Sequence, residues 1–355
     1  MNNRERFLAS MRYQPVDRVP FWDIGGAWPE TIERWKLEGY DPDNPSIVHD
    51  KTAYAGNWFD PVPFEREIIS EDETTITYIN EEGILLRERK DNPRSSMPQF
   101  LRFPVETRED FRRFWKERMK PDLTARIGSH YVEKLGSYRD RDYPLLVMAN
   151  RWGGFFGPLR NLLGVENLCI AFYDDETFVE EMMDAAADFI IEVMGNILDH
   201  TDIDVFGFWE DMAYKNGPLI APEMVRRFML PHYRRVVDFL HSRGVEFIYL
   251  DSDGDISSLI PVWVDAGINI LYPFEVQCGM DVLKVRREFG CDLRLWNGVD
   301  KRCAAKDRRA IDKELLRVAP LVREGGYIPG PDHAFPPDVS FENYCYFMNR
   351  LHSIL

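Results

Sequence analysis

Short apolar runs alternate with amphipathic segments from about residue 140 to the end of the chain, and this alternation constrains the fold more than any other feature. Such a pattern is typical of βα units, whose strands pair in parallel within one sheet. It predicts six units in this part of the chain. The predicted strands are YPLLVMAN (143–150), IDVFGF (203–208), VEFIYL (245–250), INILYP (268–273), DLRLWNG (292–298) and GGYIPG (325–330).

Helical segments separate these strands and follow the last one. Pro222 in a first turn and Gly244 at an end mark the limits of one helix in the way that helices commonly begin and end. The predicted helices cover residues 174–200, 221–244, 256–266, 279–289, 305–323 and a terminal segment from about 340.

The first 140 residues are less regular. RVPFWDIGG (18–26) predicts a strand, another strand is expected within 45–60, and Thr107 is a plausible cap for a helix over 107–119. A β-rich insertion at about 62–105, with a turn near 80–83, predicts a small antiparallel hairpin or meander.

The total therefore approaches eight βα units. The sequence predicts an α/β fold, a (β/α)8 TIM barrel with an N-terminal β-hairpin insertion, as a single domain over residues 1–355. An open doubly wound sheet is the alternative, and it is less favoured because no GxGxxG loop follows any predicted strand.

Charge and composition exclude several classes of partner. A net charge of −16 and a pI near 5.0 disfavour nucleic acid and anionic membrane surfaces, so we expect a small molecule or another protein. The N-terminus lacks the apolar core of a signal peptide and no run of eighteen apolar residues occurs, which predicts a cytoplasmic protein. The scattered, odd set of five cysteines makes a disulfide framework unlikely in that compartment.

Three aspartates stand where the strand VEFIYL ends, at Asp251, Asp253 and Asp255. Carboxylates this close repel one another and need water, a proton, a donor or a metal as partner. In a barrel, the loops after the strands converge on one mouth, so residues that follow the other strands are expected nearby. Those residues are Trp22, Asp23, Arg151, Trp152, Trp209, Glu210, Asp211, Lys215, Glu275, Asn297, Asp300, Asp332 and His333.

Four of these residues form the predicted catalytic set: Glu210, Asp251, Asp253 and His333. Their oxygen and nitrogen donors suit a divalent metal ion, and the same four are its predicted ligands. Without a metal, the crowding would raise the pKa of one carboxylate and place an acid beside a base. Asp253 or Asp255 could instead cap the following helix.

The remaining strand-end residues are interpreted as substrate-binding groups, because an apolar pocket with few polar groups suits a flat organic ligand. Packing of the aromatic residues in the rim of the barrel is the alternative. The predicted substrate-binding residues are Trp22, Asp23, Arg151, Trp152, Trp209, Tyr249 and Asn297.

Several long segments resemble the uroporphyrinogen decarboxylase-like superfamily, which includes decarboxylases of haem synthesis and methyltransferases that feed corrinoid proteins or coenzyme thiols. The resemblance covers both ends of the chain and nearly all of residues 140–350, and it implies a TIM barrel. The segments are RERFLASMRYQPVDRVPFWD, GPLIAPEMVRRFMLPHYRRVVDFLHSRG, DSDGDISSLIPVWVDAGINILYPFEVQCGMDVLKVRREFG and the closing GGYIPGPDH with PPDVSFENY.

The chain departs from that superfamily at its motifs. DIGGAW (23–28) replaces the RQAGR element that meets porphyrinogen carboxylates, so an acidic mouth with few cations disfavours that substrate. DSDG (251–254) replaces the His-x-Cys-Gly of the zinc thiol-methyltransferases, and GPDH (330–333) offers no cysteine, so a thiolate zinc site is not expected. By resemblance, Asp251 and Asp253 stand where relatives place zinc ligands, and they would bind a harder metal or the substrate directly.

Three hypotheses on function follow. The first is a methyltransferase that demethylates a small methoxylated or methylated compound and passes the methyl group to a corrinoid carried by a partner protein. The second is a decarboxylase of a small acid, in which Arg151 or Lys215 holds the carboxylate and Asp23 or Asp251 protonates the carbanion. The third is a ligand-binding barrel without catalysis. Relatives are often dimers, so we expect a homodimer.

Overall fold

A computed structural model describes residues 1–43, 47–55, 58–91, 97–148 and 150–355 of the chain. The strands in these residues are numbered along the sequence. They are β1 (Ala53–Tyr54), β2 (Glu67–Glu71), β3 (Thr75–Ile79), β4 (Leu85–Arg89), β5 (Gln99–Arg102), β6 (Leu145–Met148), β7 (Val205–Trp209), β8 (Ala213–Tyr214), β9 (Gly217–Pro218), β10 (Phe247–Asp251), β11 (Ile270–Tyr272), β12 (Arg294–Trp296) and β13 (Tyr327–Ile328).

Seven of these strands form one sheet in the order β1-β6-β7-β10-β11-β12-β13, and every neighbouring pair is parallel. Strands that follow one another in the sequence are therefore neighbours in the sheet, as expected when right-handed βα units succeed one another. The six strands predicted after residue 140 are confirmed in type and order. Ala149, inside the first predicted strand, lies outside the described residues, as do parts of 45–60.

The helices pack around this sheet. Most predicted helices are confirmed within a few residues, although the one expected from about 256 begins only at Ile260. They are α1 (Asn3–Met11), α2 (Pro29–Leu37), α3 (Arg108–Arg118), α4 (Leu123–Ile127), α5 (Tyr131–Gly136), α6 (Phe156–Leu163), α7 (Val165–Asp174), α8 (Glu176–Leu198), α9 (Pro222–Met224), α10 (Leu230–Ser242), α11 (Ile260–Asp265), α12 (Val282–Phe289), α13 (Arg308–Glu324) and α14 (Phe341–His352), with a π-helical segment (Val225–Met229) between α9 and α10. Within the described ranges, none is long and apolar enough to cross a membrane.

A second sheet occupies the predicted insertion. Strands β2 to β5 form a four-stranded antiparallel meander in sequence order, so the segment contains twice the strands of the predicted hairpin. The turn between β3 and β4 lies at Asn80–Gly83, where the Asn80 side chain accepts from two backbone N–H groups and Gly83 adopts a φ of +81°. Helix α3 follows, with Thr107 and Asp110 in a reciprocal capping box.

Alternate side chains of the parallel strands pack into one interior cluster, and helix α1 contributes to it. Phe7 of α1 is fully buried, and its ring lies 5.7 Å from Phe247 of β10, 6.3 Å from Trp296 of β12 and 5.2 Å from Trp22. A single ring reaches separate strands because the sheet curls around it. The cluster comprises Phe7, Met11, Trp22, Leu146, Val205, Phe247, Tyr249, Ile270, Tyr272, Trp296 and Ile328.

Helix α1 covers the end of the sheet where the strands begin. Arg4 donates to Asp204, which directly precedes β7, and Arg12 donates to Glu246, which directly precedes β10. The amino-terminal end of the interior is therefore filled by protein. Access to the interior is left at the opposite end, where the strands end and the predicted site residues lie.

The predicted strand at 18–26 is not a strand of this sheet. The segment is nevertheless extended and bonded on both sides: Asp50 N donates to the Phe21 carbonyl at 2.9 Å, and Phe335 N donates to the Gly26 carbonyl at 3.0 Å. A single parallel bridge joins Ala27 to Phe335. The segment therefore lies between the β1 side and the β13 side of the sheet, without the continuous ladder that defines a strand.

Replacement of Phe7 by Ala tests the interior cluster. We expect Phe7→Ala to lower the free energy of unfolding by about 3 to 5 kcal/mol, because it empties a fully buried ring site between three aromatic neighbours. Urea denaturation measures the change. The matched control is Leu37→Ala at a side chain that is 91% exposed, and a similar loss in both variants would contradict the packing described.

Candidate active site

The pairing of β7, β10 and β11 places the ends of these three parallel strands side by side at one edge of the sheet. Asp251, the last residue of β10, pairs with Trp209 of β7 on one side and with Tyr272 of β11 on the other. Because paired residues of parallel strands point to the same face, these side chains leave the sheet together. The carboxyl edge of the sheet therefore gathers acidic and aromatic groups from separate loops.

Acidic groups are crowded at this edge. Burial raises the pKa of Asp251 well above its usual range, the charges of Asp253 and Asp211 add to that rise, and a hydrogen bond from Tyr249 opposes it. The pKa of Asp253 is raised to about 7 by burial first, and then by the charges of Asp211 and Glu275. A carboxyl with this pKa is a usable acid near neutral pH.

His333 faces Asp253, with 3.6 Å between Nε2 and the carboxylate Oδ1. Its Nδ1 accepts a hydrogen bond from Ala334 N at 2.8 Å, which leaves the proton of a neutral ring on Nε2, towards Asp253. Burial and then the charge of Lys301 lower the pKa of His333, which favours the neutral ring. The 3.6 Å gap is too long for a direct hydrogen bond, so both groups remain able to bind a ligand atom.

Asp332 ties three of the loops together. Its Oδ1 accepts from Lys301 N at 3.0 Å and its Oδ2 from Val276 N at 2.9 Å, so one buried carboxylate fixes the loops after β11, β12 and β13. The same carboxylate lies 3.9 Å from the Lys301 ammonium. Sequence reasoning named Asp332 but missed Lys301, although its position just after β12 met the same strand-end criterion.

An aromatic wall lies beneath the carboxylates. The ring of Tyr249 lies 4.9 Å from that of Trp296 and 6.0 Å from that of Tyr272, and Trp22 meets Trp296 edge to face at 5.6 Å. The structure thus brings the predicted substrate-binding residues Trp22 and Tyr249 to the same interior as Asp251. Asn297 follows Trp296 and is fully buried, with a φ of +66°.

Glu210 does not join this group. Its carboxylate accepts from Phe155 N at 2.8 Å, Phe156 N at 2.6 Å, Gly157 N at 3.1 Å and the Tyr233 hydroxyl at 2.6 Å. Three of these donors are backbone groups at the start of α6, where free N–H groups and the helix dipole favour a carboxylate. Every donor that Glu210 meets belongs to the scaffold, so its carboxylate anchors the start of α6. Burial raises its pKa to about 7 against these hydrogen bonds, and its catalytic role stays a prediction.

The glycine run before α6 permits this anchor. A Cβ on Gly154 would lie 2.2 Å from the Trp209 carbonyl oxygen, and one on Gly157 would lie 2.5 Å from the Trp209 ring. Only glycine lets the start of α6 approach the end of β7 this closely. The run GGFFG (153–157) therefore serves close packing.

Three further predicted substrate-binding residues are engaged by contacts with the scaffold. Trp152 is buried, and its ring centre lies 6.2 Å from that of Phe114. The Arg151 guanidinium donates a hydrogen bond to the Asn161 side-chain oxygen at 3.0 Å. Arg151 and Trp152 instead line a cleft of about 620 Å³ under the antiparallel sheet. Asp23 accepts from Gly26 N at 2.9 Å and from the Tyr344 hydroxyl at 3.2 Å, so its carboxylate holds a turn.

The predicted set of metal ligands is not assembled. Among the residues that the structure describes, no group of three or more His, Cys, Asp or Glu side chains is placed to hold a metal ion. Glu210 is bound to the start of α6, and Asp253 and His333 face each other across 3.6 Å with no third described side chain placed to complete a site. The residues present do not fit the predicted ion.

A comparison with models of known protein families assigns the chain to one of them. The model for uroporphyrinogen decarboxylase (URO-D) matches residues 152–354, which is more than half of the chain and includes Asp251, Asp253, Lys301 and His333. The chain belongs to the uroporphyrinogen decarboxylase family. Within that family it keeps the parallel strands and lacks the RQAGR and His-x-Cys-Gly motifs.

One solved structure supports the fold of this family member over its whole length, and a second is similar over part of it. A methyltransferase from Methanosarcina mazei superposes over 99% of both chains with a TM-score of 0.63 and 15% sequence identity. A B12-independent methionine synthase from Shewanella sp. W3-18-1 is similar over 63% of this chain and 64% of its own, at 11% identity and a TM-score of 0.42. No curated protein matches the chain.

The anchoring role of Glu210 can be tested by Glu210→Gln. We expect the variant to lose about 1 to 3 kcal/mol of unfolding free energy, because an amide cannot accept all four donors and leaves a buried one unsatisfied. Amide hydrogen exchange should accelerate over residues 153–160. Glu73→Gln, in an exposed turn, is the control; unchanged exchange in the Glu210 variant would refute the assignment.

Proposed function

We propose that this protein is a methyltransferase that removes a methyl group from a small methoxylated or methylated compound and passes it to a corrinoid protein. One observation carries the proposal: Asp253, with its pKa raised to about 7, faces the Nε2 of His333 across 3.6 Å at an aromatic-walled mouth. The name of the Methanosarcina structure, a methyltransferase, supports the same class of reaction.

The chemistry required of the chain is protonation of a leaving atom. When the bond from the methyl carbon to oxygen or nitrogen breaks, the electron pair stays on the heteroatom, which then needs a proton. Asp253 in its acid form donates this proton, and the Nε2–H of His333 then stabilises the carboxylate that remains. The corrinoid of the partner protein supplies the nucleophile that takes the methyl group.

The aromatic wall holds the methyl donor. Tyr249, Tyr272 and Trp296 present flat, apolar surfaces beneath the carboxylates, and such surfaces bind a flat organic ring by burial and stacking. Asp251, whose pKa is also raised by burial, contributes a neutral carboxyl that can donate a hydrogen bond to a substrate hydroxyl. No step of this proposal passes through a metal ion.

We also propose that residues 18–27 take the place of an eighth strand and close the sheet into a barrel. The contacts of Phe21 with Asp50 and of Gly26 with Phe335 support this closure, as does the place of Trp22 in the interior cluster. A closed barrel has a single mouth, into which Trp22 and Asp253 both open.

The decarboxylase hypothesis is less well supported by the positions of its cations. Arg151 is engaged by Asn161 and lies 3.5 Å from Glu82, and Lys215 is exposed on the turn between β8 and β9. Neither forms an ion pair within 4.0 Å of Asp251 or Asp23, the acids assigned to protonate a carbanion. Carbon dioxide release from a candidate acid remains the test of that reaction.

The methyl transfer itself is tested with a reduced corrinoid carrier protein and a panel of methoxyarenes and methylamines. We expect at least one methoxyarene to change the absorbance of the corrinoid in the way that accompanies methylation, in proportion to enzyme added. The demethylated product should appear in equal amount by chromatography. No change with any donor would contradict the proposed function.

The rate should depend on the acid form of Asp253. Its pKa is raised from 3.8 to about 7, so the carboxyl is protonated below pH 7 and the rate should fall about tenfold per pH unit above it. Asp253→Asn should lower kcat by about 100-fold or more, the usual contribution of a general acid.

The control for this variant is Asp255→Asn. Asp255 accepts from Ser257 N at 3.1 Å and from the Ser257 hydroxyl at 2.6 Å, and so holds a local turn. The Asp255→Asn variant should change kcat only a few-fold. A rate that rises through pH 7, or an Asp253→Asn enzyme as active as the control, would remove Asp253 from the proton transfer.

A further inference from the structure

Lys301 carries a buried positive charge whose hydrogen bonds are not satisfied within the described chain. Its side chain is only 8% exposed, and its closest ionic partner is Asp332 Oδ1 at 3.9 Å, beyond hydrogen-bonding distance. The ammonium has three donors, and none of them donates to a described residue. The side chain is almost entirely enclosed and its ammonium donates no described hydrogen bond, so an oxygen atom of a ligand would supply the acceptor that it lacks.

Asp332 does not accept a hydrogen bond from this ammonium, because 3.9 Å separates its Oδ1 from the Lys301 Nζ. Each of its oxygens already accepts from a backbone group, Oδ1 from Lys301 N at 3.0 Å and Oδ2 from Val276 N at 2.9 Å. Asp332 therefore balances part of the charge and fixes the loop. The Lys301 ammonium remains available to a further oxygen atom.

Other buried polar groups at the end of β12 are also unpartnered. Asn297 is fully buried, and neither its Oδ1 nor its Nδ2 has a hydrogen-bond partner in the described chain. The Nε1 of Trp296 likewise lacks one. Buried polar groups are almost always bonded, so these unpartnered groups, four and five residues before Lys301 in the chain, support a polar ligand at this edge.

The charge of Lys301 affects both residues of the proposed catalytic pair, Asp253 and His333. It acts on Asp253 and on His333, in each case lowering the pKa. The geometric link is Asp332: it lies 3.9 Å from the Lys301 ammonium, and the next residue, His333, faces Asp253 at 3.6 Å, so an oxygen bound to Lys301 would lie on the side of the site where Asp253 stands. The geometry joins an unpartnered cation, a proton donor and an aromatic wall in one place.

We propose that Lys301 binds the oxygen that loses the methyl group, and that the substrate is an aryl methyl ether whose leaving group is a phenolate. This assignment rests on the proposed methyl transfer. As the methyl–oxygen bond breaks, the electron pair collects on the oxygen, where the Lys301 ammonium stabilises it until Asp253 supplies the proton that gives the phenol. The methyl group leaves with the acceptor nucleophile.

The same cation discriminates against methylamines. A methylamine that enters as an ammonium ion is repelled by Lys301, and the amine that it releases carries no negative charge for the lysine to stabilise. An aromatic ring, by contrast, matches the wall formed by Trp22, Tyr249 and Trp296. Charge and shape therefore both favour a methoxyarene.

Binding of 4-nitrophenol tests this site without a corrinoid. Its phenolate has a distinct visible absorbance, so a pH titration of the bound ligand measures its ionisation directly. We expect the protein to lower the pKa of bound 4-nitrophenol by about one unit or more, the size of shift that a neighbouring opposite charge produces. Lys301→Met should abolish the shift, and Lys301→Arg should retain most of it.

The matched control is Lys306→Met, which removes an exposed lysine five positions further along the same loop. It should leave the shift intact. Thermal unfolding of each variant confirms that it is folded, and the arginine variant provides the comparison if the methionine variant is unstable. A wild-type protein that leaves the pKa of 4-nitrophenol unchanged, or that does not bind it, overturns the proposal.

Benzoate separates the two sources of an oxyanion. If benzoate binds in a Lys301-dependent way while 4-nitrophenol does not, the site recognises a carboxylate and the phenolate assignment is wrong. Because these measurements need no methyl acceptor, they are independent of turnover. A Lys301-dependent phenolate site without methyl transfer to any carrier would refute the proposed function alone.

Discussion

The register between β7, β10 and β11 is the constraint on which the site depends. It sets Trp209, Asp251 and Tyr272 side by side at the carboxyl edge of the sheet, and the next residues of each loop start from that level. A shift of one residue would turn Asp251 towards the helices and bring Leu250 into the interior, because side chains alternate along a strand. Pairing of the backbone therefore decides which acids share one environment.

Burial then separates acids of the same kind into different roles. The Glu210 carboxylate accepts hydrogen bonds from three backbone N–H groups and a tyrosine hydroxyl, and it thereby links the end of β7 to the start of α6. Burial raises the pKa of both carboxyls to about 7, but Asp253 lies among the charges of Asp211 and Glu275 and faces His333. Glu210 follows β7 directly and Asp253 is the second residue after β10, so their hydrogen-bond partners, and not their pKa, distinguish an anchor from the proposed acid.

The absence of the family motifs has a physical counterpart at the mouth. Where the decarboxylases of the family meet porphyrinogen carboxylates with arginines, this chain places Asp23 in a turn held by Gly26 and Tyr344. Where zinc methyltransferases place thiolates, it places aspartates opposite a histidine and a buried lysine. In the proposed function, the same scaffold would serve proton donation to an oxygen in place of activation of a thiol.

Much of the fold could be predicted from local patterns, because each βα unit has its own apolar period and its own helix limits, as with β10 and the helix that starts at Pro222. The acidic and aromatic character of the strand ends was also readable, since position after a strand is a property of the chain. Lys301 met that criterion and was still missed, because an ordinary lysine in a polar loop shows nothing of its burial.

What the sequence by itself determined is the succession of units and the set of polar residues offered at their ends. Only the tertiary structure decided which of them meet: it turned Glu210 to the start of α6, buried Trp152 against Phe114, and left Asp253, His333 and Lys301 around one gap. The physical reason is that hydrogen-bond partners, burial and like-charge repulsion come from residues far apart in the chain, and local patterns carry no information on those distances.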